Sequence, residues 1–429
     1  MHTMAIENDR PADAPARSSS VTHEEGDYPR YRWVIISQMI LQQQLGPLIF
    51  SSLGVLLPSM QKELHFGLIE LGRLGSARTV GNFVLFVASI LLVRFRPIRM
   101  FNMFALVLAA ALLIVGFAPS YYVALGGLAL YSFGVSFGQV PANMVRQQWI
   151  APKEMATVSG VMLALQTVFQ MAGLALVPLI LEPIGGWRSV FIGNAVILLA
   201  IASVWFFTAR ERITPSYERM RSQDRGLSAA GAVLRRREFY LLGFAVLGGA
   251  TAFTTNLYLL PKFFVDERHF SLQVAGSITA VIPLGGLLAN LVAGVLSDRI
   301  GRRKLIIWPS GIALPILWYI MIGDYPPSIL VPVAFLTGVF VFLPFPALQT
   351  IPLEIPGLSP AERAIGQALQ MTISTVGIFF GPIFVTSIAA STGSLRSGLL
   401  YLLLLPTLFV WTTIFMPETG RVARQKAAS

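Results

Sequence analysis

The sequence contains no cysteine. That excludes disulfides, thiolate metal centres and a cysteine nucleophile, and leaves the redox compartment open. Charge is also scarce: Asp, Glu, Lys and Arg make up 12% of the 429 residues, about half the share of a soluble domain. The histidines (His2, His23, His65 and His269) all lie in tails or loops. With no His/Cys/Asp/Glu constellation and no phosphate loop between strand and helix, the sequence offers no metal site, no cofactor site and no enzymatic chemistry.

Apolar surface is what the chain has in abundance. Hydrophobic residues make up 55% and the mean hydropathy is +0.68, so most of the chain is expected in lipid. The net charge of +11 sits in short loops between apolar runs, which suits an anionic membrane leaflet rather than nucleic acid. A bilayer core of about 30 Å needs roughly 20 apolar residues per helix. On that ruler the first six spans are 33–57, 69–92, 100–118, 121–145, 156–181 and 189–208. The second six are 239–263, 272–296, 305–323, 328–349, 364–388 and 398–416. The fold class is therefore an all-α membrane protein of twelve helices in two six-helix bundles, 33–208 and 239–416, joined by a polar loop at 209–238. Residues 1–32 read as a disordered tail and 417–429 as a second tail. The run from Trp33 has no small-residue cleavage site behind it, so it is expected to stay as the first span.

Lys and Arg set the orientation. With both tails inside, the inner loops hold Arg94, Arg96, Arg99, Arg146, Lys153, eight arginines of the central loop, and Arg299 to Lys304. The opposite loops hold scattered cations such as Lys62, Arg188, Lys262, Arg268 and Arg396. The expected location is the inner membrane, with both termini cytoplasmic. A shift of 205 residues lays Gly81 on Gly286, Arg94 on Arg299, Arg99 on Lys304 and Pro141-Ala142 on Pro346-Ala347, which points to an internal duplication.

One stretch, Gly294-Val295-Leu296-Ser297-Asp298-Arg299-Ile300-Gly301-Arg302-Arg303-Lys304, resembles the signature loop of the major facilitator superfamily of membrane transporters. Gly134 to Gly138 with Pro141, Gly185-Gly186-Trp187-Arg188 with Phe191, and Pro417-Glu418-Thr419-Gly420 are similar to other segments of that family. The resemblance implies alternating access and a cytoplasmic latch built from Gly294, Asp298, Arg299, Gly301, Arg302 and Arg303. A basic anchoring loop is the plainer reading of the same arginines. The first half departs from the pattern, with Val93 at the carboxylate position and Arg96-Pro97 in place of the Gly-Arg turn. Leu130 stands where many proton-coupled members have arginine.

Polar side chains are costly in hydrocarbon unless they face other helices or water. They are concentrated in helices 1, 2, 4, 5, 7, 8, 10 and 11, and sparse in 3, 6, 9 and 12. Arg78 is the sharpest of them. It lies 15 positions before Val93, about 22 Å along a helix, and no Asp or Glu has comparable depth in any span. Three roles fit it: contact with an anionic substrate, snorkelling to headgroups, or bonding to helix carbonyls. The expected substrate site is Arg78 and Asn82, completed by Gln42, Asn143, Gln166, Gln170, Thr255, Asn256, Asn290, Gln367 and Gln370. The expected activity is transport of a small solute, foremost an organic or inorganic anion. Efflux of amphipathic drug-like compounds and a non-transporting receptor of the same fold are the alternatives. The partners expected are a small-molecule substrate, membrane lipids and a coupling ion or counter-substrate. No nucleic acid is expected, and the chain reads as a monomer.

Overall fold

Backbone in hydrocarbon must satisfy its own N–H and C=O groups, so crossing segments fold as helices. The computed structural model describes residues 29–85, 92, 95–151, 154–212, 227–355, 357–416 and 418–420. The first half contains α1 (Arg32–Leu64), α2 (Leu68–Ala77), α3 (Pro97–Gly116), α4 (Tyr121–Trp149), α5 (Met155–Ala175) and α6 (Trp187–Thr208). The second contains α7 (Arg237–Asp266), α8 (Leu272–Ile300), α9 (Lys304–Met321), α10 (Pro327–Phe342, continued by Phe345–Glu354), α11 (Pro360–Thr392) and α12 (Leu395–Leu402, resumed at Leu408–Phe415). Among the described residues no strand is present, and eleven helices are long and apolar enough to cross a membrane.

The exception is the second span, expected as one helix over 69–92. It unwinds after Ala77 and continues as a 3₁₀ turn, Val80–Val84, with residues 86–91 outside the described set. Thr79 and Val80 are β-branched and weak helix formers, and Gly81 lets this segment press on α4. A Cβ at Gly81 would come within 2.3 Å of the Ser132 carbonyl oxygen. Prolines explain the other interruptions: Pro344 and Pro406 each lack the N–H that would continue the ladder. The central loop is not wholly irregular, since Leu227–Leu234 is helical. The tail expected to be disordered, and the arginine-rich part of the loop, fall on residues 1–28 and 213–226, outside the described residues.

Helices α3 and α6 pack on each other, with α3 along α4 and α6 against α1. In the second half α9 packs on α10 and α12, and α12 on α7. The helices poorest in polar residues therefore flank their own bundles. The halves meet through α1 with α7, α2 with α11 and α5 with α8. All three seams lie toward the far face, opposite the tail face where α1 begins and α12 ends. Gly54 of α1 sits on the α7 backbone, where a Cβ would be 2.8 Å from the Tyr258 carbonyl oxygen. In the α5–α8 seam a Cβ at Gly276 would be 2.2 Å from the Leu174 carbonyl oxygen. Small residues allow this approach where the hydrophobic effect gives helices no reason to associate.

Polar contacts repeat across the two halves. Glu211, after α6, accepts from the Ile98 N–H in the first turn of α3 at 3.1 Å. Glu418, after α12, accepts from the Arg303 N–H at 2.7 Å and the Lys304 N–H at 3.3 Å at the start of α9. At the far face Arg188, beginning α6, reaches the Gly116 and Ala118 carbonyls and Glu63. Its counterpart Arg396, beginning α12, bonds Asp324 at 2.5 Å and holds that carboxyl below its usual range, aided by Arg268. The duplication read from spacing thus recurs as the same job done by a carboxylate or an arginine in each bundle.

Candidate functional site

Arg78 caps the broken end of α2 and is 7% exposed. Its Nη1 donates to the Phe50 carbonyl of α1 at 2.8 Å, its Nη2 to the Thr254 carbonyl of α7 at 3.1 Å, and its Nε to the Gly75 carbonyl at 3.2 Å. The guanidinium also lies against the Phe50 ring, 3.9 Å from its centroid, and against Tyr258 at 4.4 Å. Phe50 and Thr254 are near the middle of their helices, so Arg78 is held at membrane depth and does not snorkel. An arginine at that depth costs about 2.5–3.5 kcal/mol on insertion scales, while each hydrogen bond to a charged group returns about 1.5–3 kcal/mol. Three such bonds therefore hold Arg78 without a carboxylate. A guanidinium has five N–H donors, and the second hydrogen on each terminal nitrogen has no acceptor among the described residues.

Two further hydrogen bonds join the halves beside this arginine. Ser76 Oγ donates to the Phe379 carbonyl of α11 at 2.5 Å, and the Tyr258 hydroxyl donates to the Leu71 carbonyl at 2.7 Å. Phe83 meets Phe379 edge to face, with centroids 5.3 Å apart. Arg78 thus sits at the junction of α1, α2 and α7, on the inner side of the far-face seam. A broken helix with unwound backbone at such depth occurs where it lines a cavity or is covered by protein.

The other expected site residues divide by direction. Asn82 is exposed and accepts from Ser136 Oγ of α4 at 2.8 Å. Asn143 is exposed one side of α4 further toward the tail face, and its amide oxygen accepts from Arg146. Ser136, Gln139, Asn143 and Arg146, three or four residues apart, form one polar face of α4. Gln166 is exposed on α5, and Gln170, Asn290 and Gln367 are half-buried.

Gln42, Thr255 and Asn256 point elsewhere. Gln42 is buried and donates to the Phe101 carbonyl of α3 at 3.4 Å, within its own bundle. Thr255 is fully buried against α11, where a Cβ at Gly381 would lie 2.5 Å from its hydroxyl oxygen. Asn256 returns its amide N–H to Ala252 of its own helix at 2.8 Å. Gln370 is 2% exposed. Sequence reasoning did not single out Phe50 and Tyr258, the rings around Arg78; no periodicity distinguishes them from lipid-facing aromatics.

The loop from α8 to α9 turns at Gly301, whose φ of 66° suits glycine. Arg303 forms a two-point ion pair with Glu354 at the end of α10, at 2.8 and 3.3 Å, and also reaches Ser297 Oγ. Thr419 Oγ1 donates to Glu354 at 3.0 Å. This knot ties α8, α9, α10 and the segment after α12 within one half. Arg299 and Arg302 are exposed and Gly294 lies within α8, whereas the side chain of Asp298 is outside the described set. Glu354, Glu418 and Ser297, the partners of Arg303, were not among the latch residues expected from the sequence.

A family model described as Major Facilitator Superfamily matches residues 45–382 and 267–429. A Thermus thermophilus protein, described as a probable nitrate/nitrite antiporter, is 31% identical over 131 residues, 30% of this chain and 28% of that protein. The alpha-ketoglutarate permease of Escherichia coli is 31% identical over 119 residues, 28% of this chain and 26% of that protein. The matched stretches thus span less than a third of these curated relatives. Among solved structures, the nucleoside transporter NupG is 15% identical and superimposes with a TM-score of 0.71 over 90% of this chain and 98% of that one. On the breadth of the family match, with the twelve-segment, two-half architecture behind it, the chain belongs to the Major Facilitator Superfamily of transporters.

Proposed function

We propose that the chain moves a small anion across the membrane by alternating access, with Arg78 as the group that recognises it. The observation that carries this reading is a buried guanidinium at the junction of the halves. It is held by carbonyls and rings, with two N–H donors to spare and no carboxylate beside it among the described residues. A planar fork with free donors suits carboxylate, nitrate or phosphate oxygens. Asn82 and the polar face of α4 extend the site toward the tail face, and Gln166, Gln170, Asn290, Gln367 and Gln370 are its further candidates. The names of the two curated relatives, a nitrate/nitrite antiporter and an alpha-ketoglutarate permease, point to anionic solutes as well.

With the tail face in the cytoplasm, as the basic loops favour, the halves are sealed on the outer side in this conformation. Both termini are then cytoplasmic and the chain works as a monomer in the cell membrane. Rocking about the junction breaks the bond from Arg78 to the Thr254 carbonyl, so occupancy of the arginine and closure of the outer seam are linked. No carboxylate at the depth of Arg78 is described, which favours exchange or uniport over proton coupling through an embedded acid.

Thermal unfolding across carboxylates, inorganic anions, sugars and lipophilic cations tests the reading. Stabilisation by an anion should vanish in Arg78→Ala. If lipophilic cations stabilise both proteins equally and anions neither, Arg78 is structural and export of amphipathic compounds takes its place.

A further inference from the structure

At the tail face, the start of α9 and the end of α12 enclose a groove of about 360 Å³ on the flank of the second half, away from the junction. Its lining changes character with depth. Arg302, Lys304 and Glu418 form the rim, and Leu305, Trp308 and Ile414 follow deeper along the two helices. Leu305, Trp308 and Ile414 are 44%, 39% and 60% exposed, so this wall faces lipid. The one acid at the rim is already engaged: Glu418 accepts from the N–H groups of Arg303, Lys304 and Gly420. Arg303 is turned inward onto Glu354, whereas the side chains of Arg302 and Lys304 have no acidic partner among the described residues. The rim is therefore cationic, above an apolar wall with an interfacial tryptophan.

We propose that this groove binds one acidic glycerophospholipid, with its phosphate between Arg302 and Lys304 and an acyl chain along Leu305, Trp308 and Ile414. A free phosphate would use the rim alone and leave the apolar wall unexplained. A basic pocket between membrane helices is a recognised way to hold an anionic headgroup. The lipid would bridge α9 and α12 beside the Arg303–Glu354 knot. The proposal needs only that these helices span a membrane, and is independent of what the chain transports.

The test uses the full chain in phosphatidylcholine nanodiscs, titrated with phosphatidylglycerol whose acyl chains are brominated to quench tryptophan. Each basic residue near the surface favours an anionic lipid by about fivefold, so the pair predicts a preference of about 25-fold over brominated phosphatidylcholine. Trp33 and Trp411, also exposed, are quenched alike by both lipids, so Trp308→Phe should remove the preference and not all quenching, and Arg302→Gln with Lys304→Gln should bring the preference close to onefold. Arg299→Gln, an exposed cation outside the groove, should leave it unchanged. Equal quenching by the two lipids, a double variant that behaves as wild type, or an equal loss in Arg299→Gln each overturns a specific site. Displacement by glycerol 3-phosphate would overturn it in favour of a free phosphate.

Discussion

At Arg78 the choice among anion contact, snorkelling and carbonyl bonding turns on which donors remain. The side chain is not reaching for headgroups, because its partners are mid-helix carbonyls. Carbonyl bonding is present, and it uses three donors of five. Lysine at this position keeps the charge but loses the flat fork that stacks on Phe50 and Tyr258. Arg78→Lys should therefore fold and insert, yet bind the anion at least about tenfold more weakly, the equivalent of one charged hydrogen bond at about 1.5–3 kcal/mol. Isothermal titration with the stabilising anion reads this directly, and unchanged affinity would show that only the charge matters. Asp324 gives a second test at this scale. Its folded pKa is depressed by Arg396, so its contribution to stability is present above the unfolded carboxylate value of about 3.9 and is lost as pH falls through the folded value. Asp324→Asn should lower the unfolding midpoint at pH 7, and the difference from wild type should shrink below about pH 4.

Among the elements, the seams and the caps make separate predictions. Gly54→Val forces a side chain into the Tyr258 carbonyl, and overpacking of this kind costs about 1–3 kcal/mol. Because the clash exists only while the far face is closed, it should shift population toward the opposite state. The absence of cysteine allows a direct readout: a single cysteine at Ser76, 2% exposed in the seam, should react about tenfold faster with an impermeant maleimide in the Gly54→Val background. Equal rates would mean that the seam does not open. The tail-face knot should rank its acids. Glu354→Ala strands a buried arginine and should cost about 3–5 kcal/mol, against about 0.5–2 kcal/mol for the helix caps lost in Glu418→Ala or Glu211→Ala. Unfolding midpoints in detergent give the order.

The spans, the halves and the flanking character of α3, α6, α9 and α12 were legible because lipid imposes length and polarity on each helix separately. The unwinding after Ala77 was foreshadowed by Thr79-Val80-Gly81, but its place depends on how closely α4 approaches Gly81, a contact made across the bundle. The same limit explains Gln42 and Thr255. Spacing shows that they are polar within a span, and only packing shows that one faces α3 and the other α11. Glu211 and Glu418 escaped notice as a pair because a cap is recognised by the helix end it meets, far away in sequence.

For the whole molecule, the two bundles repeat their caps and far-face clamps yet differ in their buried arginines: Arg78 of the first half is held by carbonyls and rings, while Arg303 of the second is paired with Glu354. On the proposed function, the first bundle would grip the anion and the second would close over it through Thr254, Tyr258 and Phe379. The decisive measurement is anion exchange in proteoliposomes loaded with unlabelled solute, comparing wild type, Arg78→Lys and Arg78→Ala across nitrate, phosphate, dicarboxylates, a neutral sugar and a lipophilic cation. If Arg78 recognises the solute, the wild type should show saturable exchange of an anion, Arg78→Lys a strong reduction and Arg78→Ala none. Exchange of a neutral or cationic solute that survives Arg78→Ala would contradict that recognition.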